Sequence, residues 1–227
     1  MSSSKAEAGR RLPIAILLSG EGSNFAAIAS AARSGELAVD IRAVLSDRPG
    51  ARGLERARAL GLPAQALAPR DFTDRAAHDA ALIARIDASE AELVVLAGYM
   101  RIFQPAFIAR YATRLLNIHP SLLPAYRGLD THGRALRARA SVHGCTVHFV
   151  TDELDGGPLI AQARVAVRAD DTAASLAARV LAREHLLYPR VIGWYAAGRL
   201  RERDGRAWLD GKALDAPVVL EDADAAA

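Results

Sequence analysis

The sequence predicts an α/β fold: an open, mostly parallel, twisted sheet with helices on both faces, and an antiparallel strand pair in the C-terminal half. Three observations carry this. Short apolar runs alternate with Ala-rich helical runs through the first half of the chain, as the crossovers of a parallel sheet require. The run LVVLA at 93–97 is apolar without alternation, as in a central strand buried on both faces. Beyond residue 140 the pattern becomes alternating and is broken by a Gly-Gly-Pro turn, which suits two antiparallel strands.

In order, residues 12–18 (LPIAILL) read as a first strand ending in the turn residues 19–23, and 24–33 as a helix. A second strand at 39–46, a loop at 47–50, a helix at 53–60 and a short strand at 64–67 follow. Residues 73–88 form an amphipathic helix, with Ala76, Ala80, Ile83 and Ile86 on one face. The strand 115–118 runs into a Pro- and Gly-rich loop and then a helix over 131–139. The strand pair is 143–151 and 159–167, with Cys145, Val147 and Phe149 sharing a face. Asp171-Thr172 caps a long helix to about residue 197, which Pro189 is expected to kink or divide. A hairpin is expected around Asp204-Gly205. Residues 1–11 read as a disordered leader, 12–214 as a single domain and 215–227 as a disordered Asp/Ala-rich tail.

At 227 residues and 51% hydrophobic, the chain can bury a sizeable core. No apolar run is long enough to span a bilayer, and the N-terminus lacks the apolar stretch of a secretory signal. One cysteine, Cys145, makes no internal disulfide, which fits a cytoplasmic location. The net charge is +3, but the arginines are scattered among acids with no aromatic interleaving, so nucleic acid is not an expected partner.

Three motifs carry chemistry. Ser19-Gly20-Glu21-Gly22-Ser23-Asn24 joins a strand to a helix start, where unpaired N–H groups and the helix dipole favour an anion. It lacks the third glycine of a dinucleotide fingerprint and the Lys-Ser/Thr of a P-loop, so a phosphate monoester suits it best. A tight turn with an N-cap has the same pattern, and Glu21 must point away from any phosphate. In Asn117-Ile118-His119-Pro120, Asn117 and His119 share a face at a strand end, and amide and imidazole together suit a developing oxyanion. A capping Asn and a packed His would read alike. In Asp152-Glu153-Leu154-Asp155-Gly156-Gly157-Pro158, a carboxylate held in a sharp turn could face His119 and favour imidazolium, or the segment is an ordinary acidic turn. The histidines lack close ligand spacing, so no metal is expected. Cys145 reads as core, His148 as lying on the opposite strand face, and His132 and His143 have no evident partner.

The segments LLSGEGSN, VVLAGYMRIF, LLNIHPSLLPAYRG, HGCTVHFVTDELDGGPLIAQ and REHLLYP, in that order, resemble the folate-dependent phosphoribosylglycinamide formyltransferase family, with its Rossmann-like formyltransferase fold. The resemblance implies transfer of a formyl group from 10-formyltetrahydrofolate to the amine of 5'-phosphoribosylglycinamide in purine biosynthesis. It implies Asn117, His119 and Asp155 as the catalytic trio. Gly22, Ser23 and Asn24 would hold the substrate phosphate, and Leu181, Ala182, Arg183 and Glu184 would bind the ribose and glycinamide end. Arg75, Met100, Arg101, Ile102 and Phe103 would bind folate, together with Asn117, Thr151, Asp152, Glu153, Leu154 and Asp155. The expected partners are therefore these small molecules, with no membrane, in a monomer or homodimer. Formyltetrahydrofolate hydrolases and methionyl-tRNA formyltransferases share the catalytic domain, but the chain has no room for their additional domains. A non-catalytic phosphosugar-binding module would need the 19–24 loop without the trio.

Overall fold

The computed structural model describes residues 10–220. The strands are β1 (Leu12–Leu18), β2 (Val39–Ser46), β3 (Ala64–Ala66), β4 (Leu93–Leu96), β5 (Leu115–His119), β6 (Val142–Phe149), β7 (Leu159–Ala166), β8 (Leu200–Arg203), β9 (Arg206–Leu209), β10 (Lys212–Ala213) and β11 (Val218–Leu220). The helices are α1 (Ser23–Ser34), α2 (Arg52–Ala59), α3 (Arg75–Ala88), α4 (Pro105–Arg110), α5 (Thr131–Arg137) and α6 (Ala173–Ala196). Among the described residues, eight strands form one sheet in the order β11-β7-β6-β5-β4-β1-β2-β3, and β8–β10 form a small antiparallel sheet. Only β6 runs against its sheet neighbours: β5 and β7 are antiparallel to it, and the other ladders are parallel. The expected antiparallel pair is thus one reversed strand inside an otherwise parallel sheet.

The chain builds β1, β2 and β3 outward in one direction, then returns past β1 to lay down β4 and β5 on its other side. The strand order therefore reverses between β1 and β4, and a crevice opens at their C-terminal ends, where open α/β sheets bind ligands. Continuous apolar runs explain why these strands pair inside the sheet: Ile14 to Leu18 and Leu93 to Val95 are fully buried. One core lies under α1, α2 and α6, where Phe25, Ile28, Leu54, Leu187 and Tyr188 pack on the sheet. The other lies under α3 and α4, where Leu82, Ile86, Phe107 and Tyr111 cover Leu17, Val94 and Leu115. Buried Tyr188 carries its hydroxyl to within 3.0 Å of both the Leu96 and Leu116 carbonyls, tying β4 to β5 one residue before Asn117.

Several expectations need correction. The inward face of α3 is His78, Asp79, Leu82 and Ile86, whereas Ala76 and Ala80 are exposed. Two polar residues turn inward there because neighbouring loops supply their hydrogen-bond partners. Pro189 does not divide α6, which is continuous over 24 residues. Leu187, Tyr188, Val191 and Ile192 bury on either side of the proline, and this packing outweighs the lost backbone hydrogen bond. The helix starts at a capping box in which Thr172 and Ser175 bond each other's backbone. The tail does not begin at residue 215: Val218–Leu220 pairs with β7, and Leu220 is buried. Residues 1–9 of the expected leader and 221–227 of the expected tail lie outside the described residues. The hairpin at Asp204-Gly205 is present, and a second Asp-Gly turn at 210–211 adds β10. Among the described residues no helix is long and apolar enough to cross a membrane.

Candidate active site

The loop after β1 is shaped by close backbone contact. Gly22 has φ 69°, in the left-handed region, and a Cβ there would lie 2.6 Å from the Gly53 Cα. Only glycine fits both the conformation and the crossing. The Gly53 N–H donates to the Gly20 carbonyl at 3.0 Å, so the first turn of α2 props the loop. Gly22 occupies the N-cap of α1 with no side-chain cap, leaving the first N–H groups of the helix without one. Glu21 turns toward α2, where Arg52 and Arg56 lie 3.4 and 3.9 Å from its carboxylate, so it points away from the helix start.

Asn24 caps nothing. Its Nδ2 donates to Glu184 Oε2 at 2.6 Å, joining the loop to the middle of α6 across 160 residues of sequence. Glu184 is buried, and burial pushes its carboxyl upward while the Asn24 hydrogen bond opposes the shift. Asn24 Oδ1 is buried without a hydrogen-bond partner. Leu181, Ala182 and Arg183 precede Glu184 on the same helix, Leu181 and Arg183 half-buried and Ala182 exposed.

The three residues expected to act together do converge. Asn117 and His119 lie on the α3/α4 face of β5, the face that also carries Leu115. The turn after β6 folds back over this face and brings Asp155 Oδ2 to 3.4 Å from His119 Nδ1. Asp155 adopts φ 48° and accepts the Gly128 N–H at 2.8 Å. The turn is tight for a steric reason: a Cβ at Gly157 would come within 2.0 Å of the Phe149 carbonyl oxygen. His119 is buried, and its Nε2 lies 3.0 Å from the Tyr126 carbonyl. That oxygen can only accept, so Nε2 carries a hydrogen.

His148 belongs to the same cluster. It sits opposite Asn117 in the β5/β6 ladder and is buried. Its Nδ1 lies 2.8 Å from the Phe149 carbonyl, which places the proton there, so Nε2 presents a lone pair to Asn117 Nδ2 at 3.2 Å. The neutral ring fits an environment in which burial lowers its proton affinity. Asn117 is thereby oriented with one amide hydrogen on His148 and the other left for a ligand. Alternation places His148 opposite Cys145, but only the cross-strand register brings it to Asn117.

A pocket opens beside this cluster. It is lined by Arg101, Ile102, Phe103, Asn117 and the run 151–155, which the resemblance assigns to folate, and also by Leu96, Tyr99, Ile108, His148 and Val150. Met100 is not part of the lining and stands 61% exposed. Arg75 is not in the lining either; its Nη2 donates to the Ile102 carbonyl at 2.6 Å, supporting the wall from behind. The two loops are joined, since Ser19 N–H donates to the Gly98 carbonyl and Ser19 Oγ accepts the Met100 N–H at 2.9 Å.

Other singled-out residues find ordinary places. Cys145 is buried in the core, with its thiol pushed up by burial. His132 and His143 partner each other, Nδ1 to Nε2, at 3.2 Å. Asp130 pairs with Arg137 on α5. Among the described residues no three His, Cys, Asp or Glu side chains gather as a metal site.

Comparison with known proteins agrees with this geometry. The formyl transferase family model matches residues 12–192. The chain is 51% identical over 201 residues to phosphoribosylglycinamide formyltransferase of Escherichia coli, covering 88% of this chain and 95% of that protein. It is 43% identical to the enzyme of the same name from Haemophilus influenzae, with the same coverage. The solved structure of phosphoribosylglycinamide formyltransferase from Coxiella burnetii superposes with a TM-score of 0.90 at 46% identity, covering 93% of this chain and all of that one. With the Asn-x-His strand end, the Asp155 turn and the glycine-shaped helix start set on a matching fold, the chain belongs to the formyl transferase family, among the phosphoribosylglycinamide formyltransferases.

Proposed function

We propose that this enzyme transfers the formyl group of 10-formyltetrahydrofolate to the amine of 5'-phosphoribosylglycinamide, a step of purine biosynthesis. The Gly22–Asn24 helix start takes the phosphate, Glu184 the ribose and glycinamide end, and the pocket between 101–103 and 151–155 the folate. The neutral amine attacks the formyl carbon, a C–N bond forms, and the carbonyl electrons move to oxygen. Asn117 donates its free amide hydrogen to that oxyanion. His119, as imidazolium held by Asp155, exchanges the Tyr126 carbonyl for the same oxygen. The attacking nitrogen then loses a proton and the folate nitrogen gains one, through His119 or water, as its bond to carbon breaks. Formylated amine and tetrahydrofolate leave. No step calls on a metal. We place this reaction in the cytoplasm, a location that the single, buried cysteine suits.

The observation that carries the reading is the convergence of Asn117, His119 and Asp155, with Asn117 and Asp155 lining the pocket and His148 orienting the amide. The deciding experiment follows folate deformylation by absorbance with and without the ribonucleotide. Deformylation that requires the ribonucleotide, with formylated product, supports the transferase. Deformylation without it would make the chain a hydrolase, and none at all would make it a binding module.

A further inference from the structure

The inward polar face of α3 is unexplained by the reaction so far. Arg75, His78 and Asp79 lie three and four residues apart, so they share one side of the helix. Asp79 is buried, and its Oδ2 accepts the Gln104 N–H at 2.8 Å. Its Oδ1 lies 3.4 Å from Nδ1 of His78, which is almost wholly buried. The other ring nitrogen of His78 faces the Leu67 carbonyl at 3.0 Å, so it carries a hydrogen and anchors the ring to the end of β3. Arg75 holds the Ile102 carbonyl from the same helix face. The segment so gripped, between β4 and α4, supplies Tyr99, Arg101, Ile102 and Phe103 to the pocket. Its aromatic side is a stack in which Tyr99 and Phe103 lie 5.1 Å apart and Phe103 and Phe107 3.9 Å apart.

A buried carboxylate is costly, and packing alone is better served by an apolar residue. Here the acid holds a backbone N–H at the N-cap position of α4, where no side chain caps the helix. Releasing it would free the end of the pocket wall next to Phe103.

We propose that Asp79 is a positioning residue for the formyl donor: it fixes the 101–103 wall against which the donor lies, without touching it. The inference rests on reading that pocket as the donor site. It is tested in the full-length enzyme with Asp79→Ala and Asp79→Asn, measuring kcat, KM for each substrate, and hydrogen exchange at the Gln104 amide. Loss of a hydrogen bond to a charged group predicts a rise of about tenfold in donor KM for Asp79→Ala. Asn keeps an oxygen for Gln104 but not the charge, so its donor KM rises about threefold, with faster Gln104 exchange. KM for the ribonucleotide stays within about twofold in both, which general loosening of the fold would not give. Asp79→Asn preserves size and polarity, so it carries the test even if Asp79→Ala is too unstable to assay. Unchanged donor KM in the folded variants, or equal rises in both KM values, overturns the assignment. Absence of formyl transfer in the unaltered enzyme overturns the donor-site reading and the assignment with it.

Discussion

Replacing Asp155 by Asn separates charge from shape at the centre of the site. Asp155 sits at φ 48°, a conformation that Asn adopts as readily as Asp, so the backbone has no reason to move. An amide oxygen can still accept the Gly128 N–H now held at 2.8 Å. What disappears is the negative charge 3.4 Å from His119 Nδ1. Without it, His119 keeps its hydrogen on Nε2, against the Tyr126 carbonyl, and a second proton on Nδ1 would face only a neutral amide oxygen in place of a carboxylate. If the imidazolium is one of two donors to the oxyanion, losing it removes about 2.7–4 kcal/mol of barrier lowering, or about 100- to 1000-fold in kcat. Stability should change by about 1 kcal/mol or less, since the turn keeps its hydrogen bond and its φ. The assay is initial-rate absorbance of deformylation at saturating ribonucleotide from pH 6 to 9, beside a urea melt of the same preparation. Turnover within tenfold of the unaltered enzyme, with the same pH profile and an intact fold, would refute the role given to Asp155.

Asn117→Ala should lower kcat by a similar factor of about 100- to 1000-fold while KM for the ribonucleotide stays near its starting value, because the amide acts on the oxyanion and not on the ground state. Gly22→Ala forces a side chain into the left-handed region and to within 2.6 Å of Gly53, so we expect a loss of about 2 kcal/mol or more, and a melting temperature lower by about 4–8 °C. The same change should raise KM for the ribonucleotide more than KM for the folate, as steady-state kinetics with each substrate varied will read. Buried His143 takes up its proton only near pH 4 in the folded chain, chiefly because burial disfavours the charge and because His132 faces it. The unfolded chain takes it up from about pH 6.5. Between those values the unfolded state binds more protons, so stability falls as pH drops, by about 2 kcal/mol at pH 5 for this one group. Urea midpoints at pH 7 and pH 5 measure the loss, and His143→Gln should make it smaller by about 2 kcal/mol, the remainder coming from other histidines whose proton affinity burial lowers, such as His132, His148 and His185.

How much of this was legible in the sequence depends on what each residue spends its surface on. β1 matches its expected limits because a strand buried on both faces leaves an uninterrupted apolar run, and β2 matches although Asp40 and Arg42 interrupt its apolar residues. α3 was legible as a helix but not in its orientation, because periodicity counts apolar residues and the inward face here includes a histidine and an aspartate. α4 has only six residues, less than two turns, and shows no periodicity to read. β11 has three residues and depends on pairing with β7, a contact made across more than fifty residues. Within the site, Asn117 and His119 show in the spacing of one strand. Their meeting with Asp155 rests on a turn that folds back over the sheet, and the sequence shows only its glycines. The Asn24–Glu184 bond and the role of His148 are tertiary, and no local pattern contains them.

The two rims of the main sheet, β3 and β11, are each three residues long. An exposed rim is where a second chain can add by backbone pairing, and the gain grows with the length of ladder on offer. β3 and β11 border Val44–Ser46 of β2 and Ala161–Ala163 of β7, so a newcomer pairing with either rim strand finds only a few rungs. Self-association of this chain by strand addition on β3 or β11 is therefore disfavoured.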